Sequence, residues 1–174
     1  MREKNRTVPF LASAVVLAGL LTTALSCGGR GEEERVAAAL RRMADLAEER
    51  DLDGLMDRFA SDYSDFEGRD KAKARELIGG YFEGRPGIVV HLLGTEVRIE
   101  SPGSARVRAE AALSSGAAEV FRKLFRSFGE LYLFDLEMKA SAGEWKVVFA
   151  RWRSVSPDEL SPGGLSILRK LFPD

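Results

Sequence analysis

One change of apolar period, partway along the chain, constrains the fold more than any other feature. Between residues 32 and 82 apolar side chains recur every three or four positions; between 95 and 152 they alternate. Val36, Leu40, Met43 and Ala47 share one face of a helix predicted over 32–50, with Glu32, Glu33 and Glu34 at the positive end of its dipole. Asp51 is placed to cap a second, short helix with Leu52, Leu55, Met56 and Phe59 on its inner face. Asp70 is placed to cap a third, carrying Ala74, Leu77, Ile78, Tyr81 and Phe82, which Gly84-Arg85-Pro86-Gly87 ends. Thr95, Val97 and Ile99 then alternate with charged residues, as do Ala105, Val107, Ala109 and Ala111, and Tyr132, Phe134, Leu136 and Met138. A last strand runs from Trp145 to Trp152. Turns at Ser101-Pro102-Gly103 and Ser141–Gly143 are short, so the strands are expected antiparallel. The pattern predicts an α+β domain: three N-terminal helices packed on a curved antiparallel sheet.

The segment ahead of this domain reads as an address. Arg2, Lys4 and Arg6 outnumber Glu3, residues 7–29 carry no charge, and Phe10 to Leu21 are mostly Leu, Val and Ala. Ala24-Leu25-Ser26 then precede Cys27, the only cysteine. A signal peptide has this order of charge, apolar core and small residues. Thr23-Ala24-Leu25-Ser26-Cys27 resembles the lipobox of bacterial lipoproteins, with Ala24 where Leu is commoner. The resemblance implies cleavage before Cys27, diacylation of its thiol and acylation of the new amino terminus. Two or three acyl chains hold a domain on a membrane where one would not. Gly28, rather than an Asp, follows the cysteine, which by the same resemblance implies outer-membrane sorting in a cell with two membranes. Two other readings are an uncleaved transmembrane helix and an ordinary secretory signal. All three put the bulk of the chain outside the cytoplasm, in the envelope and facing the periplasm. The expected organisation is a signal peptide over 1–26, a lipidated cysteine and glycine tether over 27–31, a domain over 32–156 and a tail over 157–174.

The stretch Asp51-Leu52-Asp53-Gly54-Leu55-Met56-Asp57-Arg58-Phe59-Ala60, and Gly143-Glu144-Trp145-Lys146-Val147-Val148 with Trp152 beyond it, resemble the NTF2-like superfamily, which includes SnoaL-type domains and ketosteroid isomerase. The resemblance covers about residues 33–155. It implies a cone-shaped fold, a pocket between the helices and the concave sheet face, and a homodimer; it does not fix a function.

Charge and motif content narrow the function. Lys and Arg total 26 and Asp and Glu 27, without the basic excess of a nucleic-acid binder. The sequence has no phosphate-binding loop, no His-Glu-x-x-His and no Cys-x-x-Cys, so no cofactor or metal is expected. Asp62, Asp65, Glu67 and Asp70 form an acidic run whose spacing fits a solvated turn and a helix cap rather than a Ca²⁺ loop. His91, the sole histidine, falls in phase with Thr95, Val97 and Ile99 provided no bulge intervenes at Gly94. It is therefore a candidate pocket residue, with a general base as its catalytic reading. Tyr81, Phe134, Phe149 and Arg151 complete the candidate pocket, Arg151 following Trp145, Val147 and Phe149 in phase.

Two basic amphipathic segments remain. Phe121, Phe125 and Phe128, with Arg122 and Arg126 on the other side, suit core packing, a lid or partner surface, or a membrane contact. Leu165, Leu168, Leu171 and Phe172, with Arg169 and Lys170, close the chain after Ser161-Pro162-Gly163-Gly164. The sequence thus points to an envelope lipoprotein whose non-catalytic domain binds a small apolar ligand or an envelope protein. The alternatives are a scaffold with a filled cone and an enzyme of the SnoaL or ketosteroid-isomerase kind.

Overall fold

The computed structural model describes residues 28–85, 87–115 and 130–172. Cys27 and the segment holding Phe121, Arg122, Phe125, Arg126 and Phe128 lie outside the described residues. Helix α1 (Gly28–Glu48) starts within the expected glycine tether, which is helical backbone here. Helix α2 (Leu52–Asp57) begins where the Asp51 side chain accepts from the Gly54 N–H at 2.9 Å. Helix α3 (Lys71–Glu83) begins where Asp70 accepts from the Lys73 N–H at 2.9 Å. Each cap satisfies an N–H that the first helical turn leaves without a partner.

Between α2 and α3 lies strand β1 (Phe59–Asp65), followed later by β2 (Ile88–Ser101), β3 (Ser104–Ser115), β4 (Glu130–Ser141) and β5 (Glu144–Ser154). The sheet order is β1-β5-β4-β3-β2. Strands β2 to β5 form an antiparallel meander, and β1 adds to its edge parallel to β5. Positive φ at Ala142 (51°) and Gly143 (83°) makes the β4–β5 connection a tight two-residue turn of the kind that suits strand twist. Phe59, expected at the end of a helix, instead opens β1; pairing with β5 overrides the local pattern and turns Phe59, Tyr63 and Asp65 inward.

Helices α1 to α3 cover one face of the sheet. Val36 and Leu40 of α1, Met56 of α2 and Phe82 of α3 pack there with Val107, Leu136, Met138, Trp145 and Val147, all buried. The opposite face is covered by the C-terminal segment, a 3-10 turn (Pro157–Glu159) and helix α4 (Pro162–Leu171). Leu160 and Leu168 pack there on Leu93, Ala112 and Leu131, so the expected tail is part of the domain. A buried carboxylate pins it: Glu110 of β3 accepts from the Ser161 N–H (2.8 Å) and Oγ–H (2.9 Å) at the start of α4.

Two β-bulges set which residues face which side. Pairing of β2 with β3 slips between Leu92 and Gly94, and pairing of β4 with β5 slips between Glu137 and Met138. A slip of one residue moves every following side chain to the other face.

Candidate functional site

At the end of the sheet where β2 and β4 start, half-buried aromatic residues line the helix side. Tyr132 and Phe134 of β4 stand 5.9 Å apart, and Phe134 pairs across the sheet with Trp152 of β5. Phe66, just past β1, meets Trp152 edge to face at 5.0 Å. From α3, Tyr81 joins through Arg85, whose guanidinium lies 3.8 Å from the Tyr81 ring centre. Arg85 also pairs with Glu130 at 2.9 Å, and Glu130 accepts from the Tyr132 hydroxyl at 3.0 Å. At the far end of the row Arg69 lies 5.2 Å over the Trp152 ring. The row is thus aromatic rings flanked by two stacked arginines.

Its electrostatics are those of a fixed network. Burial raises the Tyr81 hydroxyl above the usual tyrosine range. Burial, and then donation to the Glu130 carboxylate, raises Tyr132 as well. Arg69 is anchored by Asp65, whose side chain is fully buried: the Arg69 Nε donates to Oδ2 at 2.6 Å, and the Glu67 and Arg69 backbone N–H groups donate to Oδ1 at 2.9 Å each. Burial alone would raise the Asp65 pKa, but these hydrogen bonds and the Arg69 charge outweigh it and hold the carboxyl below its ordinary value. Glu67 pairs with Arg69 too, and Asp70 is engaged as the cap of α3. The acidic run therefore supplies a turn and a cap, but the turn is not solvated as expected, since the Asp65 side chain is buried.

The candidate pocket residues divide between the faces. Tyr81 and Phe134 lie on the helix side, packed against the main core. His91 does not: the bulge after Leu92 breaks its phase with Thr95, Val97 and Ile99. It pairs with Ala112 of the outer cluster and meets the Phe172 ring at 5.8 Å. Phe149 and Arg151 also lie on the outer face, opposite Glu137 and Asp135, because the bulge at Val148 puts Ala150 and Trp152 inward in their place. Leu77, which the helical pattern turns inward, is 46 % exposed. The sequence pattern does not single out Trp152, Tyr132, Arg85, Phe66 or Arg69 as site residues. The spacing of Trp145 and Trp152 held the missing signal, since an odd separation brings both rings to one face only across a bulge.

Between helices and sheet lies the main cluster of buried side chains. Two hollows among the described residues lie on the other side. One is a groove of ≈ 500 Å³ between α4 and β2–β3, lined by Thr95, Arg108, Glu110, Ser161 and Ile167 among others; the second, of ≈ 450 Å³, runs along α4 past Arg169 and Lys170.

No family model and no curated protein matches the sequence. Solved structures do match. An NTF2-like protein of unknown function from Pseudomonas putida KT2440 superposes with a TM-score of 0.60 at 14 % identity, over 76 % of this chain and 98 % of that one. This chain has the NTF2-like fold. A protein from Novosphingobium aromaticivorans, provisionally named a scytalone dehydratase, matches the NTF2-like domain with a TM-score of 0.58 at 12 % identity, over 72 % of this chain and 85 % of that one. Bd1075 from Bdellovibrio bacteriovorus matches with a TM-score of 0.58 at 11 % identity over 71 % of this chain, which spans only 40 % of Bd1075. Identities this low carry the fold and nothing finer.

Proposed function

We propose that this chain is a lipid-anchored protein of the cell envelope whose NTF2-like domain holds a protein partner on its aromatic row and performs no turnover. The observation that supports this reading is the main core: Val107, Leu136, Met138, Trp145 and Val147 are buried between the sheet and the helices. The composition of the row supports it, since tyrosine, tryptophan and arginine concentrate in protein interfaces and supply their strongest contacts. The sole histidine lies on the opposite face, which argues against a general base inside the cone. A second copy of the chain is one partner that would fit. The anchor is acylated Cys27, facing the periplasm and sorted to the outer membrane where there are two.

Two experiments test the proposal. Blocking lipoprotein signal peptidase should make a larger, diacylated precursor accumulate; no size change and no acyl label would sink the anchor. A photo-crosslinking residue at Tyr132, in intact cells, should trap one discrete protein, while the same residue at Arg108 on the outer face should not. Equal trapping at both positions would sink the binding surface.

A further inference from the structure

Gly28, the residue after Cys27 in the sequence, opens α1, so the course of α1 determines which end of the domain an anchor at Cys27 would hold. Near the start of α1 the Arg35 guanidinium donates to the Gly143 carbonyl, in the β4–β5 turn, at 3.1 Å. At its other end the Glu48 carboxylate accepts from the Val90 N–H, near the start of β2, at 2.7 Å. The helix therefore runs the length of the sheet. The β2–β3 turn lies at the Gly143 end, because the Ala140 N–H donates to the Gly103 carbonyl at 2.8 Å. The aromatic row lies at the Glu48 end, where Arg50 donates to the Phe82 carbonyl at 2.7 Å and Arg85 holds Glu130.

The first core residue of α1 is Val36, which is fully buried. Gly31, Glu33, Glu34 and Arg35 are exposed and Glu32 is half-buried, and a methyl added at Gly31 would meet nothing within 4 Å. The first two turns thus project past the packed body. At about 1.5 Å per residue, residues 28–35 reach roughly 12 Å and the whole of α1 roughly 31 Å.

We infer that α1 is a stalk as well as a core helix, so that the two hairpin turns face the bilayer and the aromatic row is carried away from it. The inference rests on the lipid-anchor reading above. The turns that would face the lipid, Ser101-Pro102-Gly103-Ser104 and Ser141-Ala142-Gly143, carry no charge. Glu32, Glu33 and Glu34 stand on the stalk with Arg30 and Arg35, so its net charge is only −1 and an anionic lipid surface within about one Debye length repels it weakly. The partner-binding end then points into the aqueous compartment, about 30 Å beyond the anchor along the helix.

The test uses the full acylated chain in phosphatidylethanolamine–phosphatidylglycerol vesicles. Ser141→Cys and Glu83→Cys each give one labelling site, because acylation occupies Cys27. Energy transfer to a lipid-bound acceptor should be strong from position 141 and weak from position 83. Four glycines inserted after Gly31 should at least halve that difference while leaving the unfolding midpoint unchanged. Equal transfer from the two positions, or a difference that the insertion leaves intact, overturns the stalk. Flotation and intact mass separate the two claims: a chain without acyl mass that stays off the vesicles overturns the anchor and the orientation with it. An acylated, floating chain with equal transfer overturns the orientation alone.

Discussion

Gly163 and Gly164 are neighbours in the first turn of α4, yet a methyl group added to each should have opposite effects. Alanine is favoured over glycine in a helix by up to about 1 kcal/mol. At Gly163 the nearest atom to an added Cβ is the Ser161 Oγ at 3.9 Å, an ordinary contact. Gly163→Ala should therefore raise stability by about 0.5 kcal/mol. At Gly164 the same Cβ would overlap the Glu110 Oε2. The carboxylate has little room to yield, being 7 % exposed, held by two hydrogen bonds from Ser161 and crowded from the other side by Gly94, where a Cβ would sit 2.9 Å from it. Moving it forfeits two bonds to a charged acceptor, each of about 1.5–3 kcal/mol, against a helical gain of about 1. Gly164→Ala should thus cost about 2–5 kcal/mol. Urea unfolding of the mature domain with Cys27→Ser measures both variants on one scale. Adding Glu110→Ala to Gly164→Ala should recover part of the loss, because the clash goes with the carboxylate. Equal stability of Gly163→Ala and Gly164→Ala would refute the latch.

Three further outcomes follow. Leu168→Ala should destabilise by about 2–5 kcal/mol in the same assay, since Leu168 is fully buried under α4, whereas Ile167→Ala on the exposed side should cost under about 0.5. Removing the cap with Asp51→Ala should cost about 1 kcal/mol, read as a lower thermal midpoint. The Asp65 carboxyl has a depressed pKa in the fold, so its contribution is present above the unfolded value of about 3.9 and is lost as pH falls from there through the folded value. Asp65→Asn should therefore lower the midpoint at pH 7 and flatten the acid limb of the stability profile. Asp53→Asn, at an 85 % exposed carboxylate paired with Arg75, should do neither.

The sequence was readable wherever a local rule decided the outcome. Asp51 and Asp70 cap helices because a short acceptor one residue ahead of a helix meets its free N–H groups. Val36, Leu40, Val107 and Met138 lie in the core because a helix repeats every 3.6 residues and a strand every two. Legibility failed where tertiary pairing intervened. β1 holds Ser61, Asp62 and Ser64 among few apolar residues, and only its pairing with β5 makes it a strand. The bulges at Leu93 and Val148 leave no mark in a simple alternation, and each carries the residues beyond it to the other face: His91 relative to Thr95, Phe149 and Arg151 relative to Trp145 and Val147. Glu110 alternates with apolar residues as Arg106 and Arg108 do, and nothing local marks it as the one that α4 buries. The candidate site suffered most, because it depended on phase counted across both bulges.

The central claim is that the interior of this NTF2-like domain is filled and that binding takes place on its rim. A native mass spectrum of the mature domain, exported to a periplasm with Cys27→Ser, tests it most directly. The account predicts the bare protein mass, alone or as a whole-number multiple for a self-associating chain. A non-covalent adduct of a few hundred daltons that survives buffer exchange would contradict it and make the domain a carrier of a small molecule.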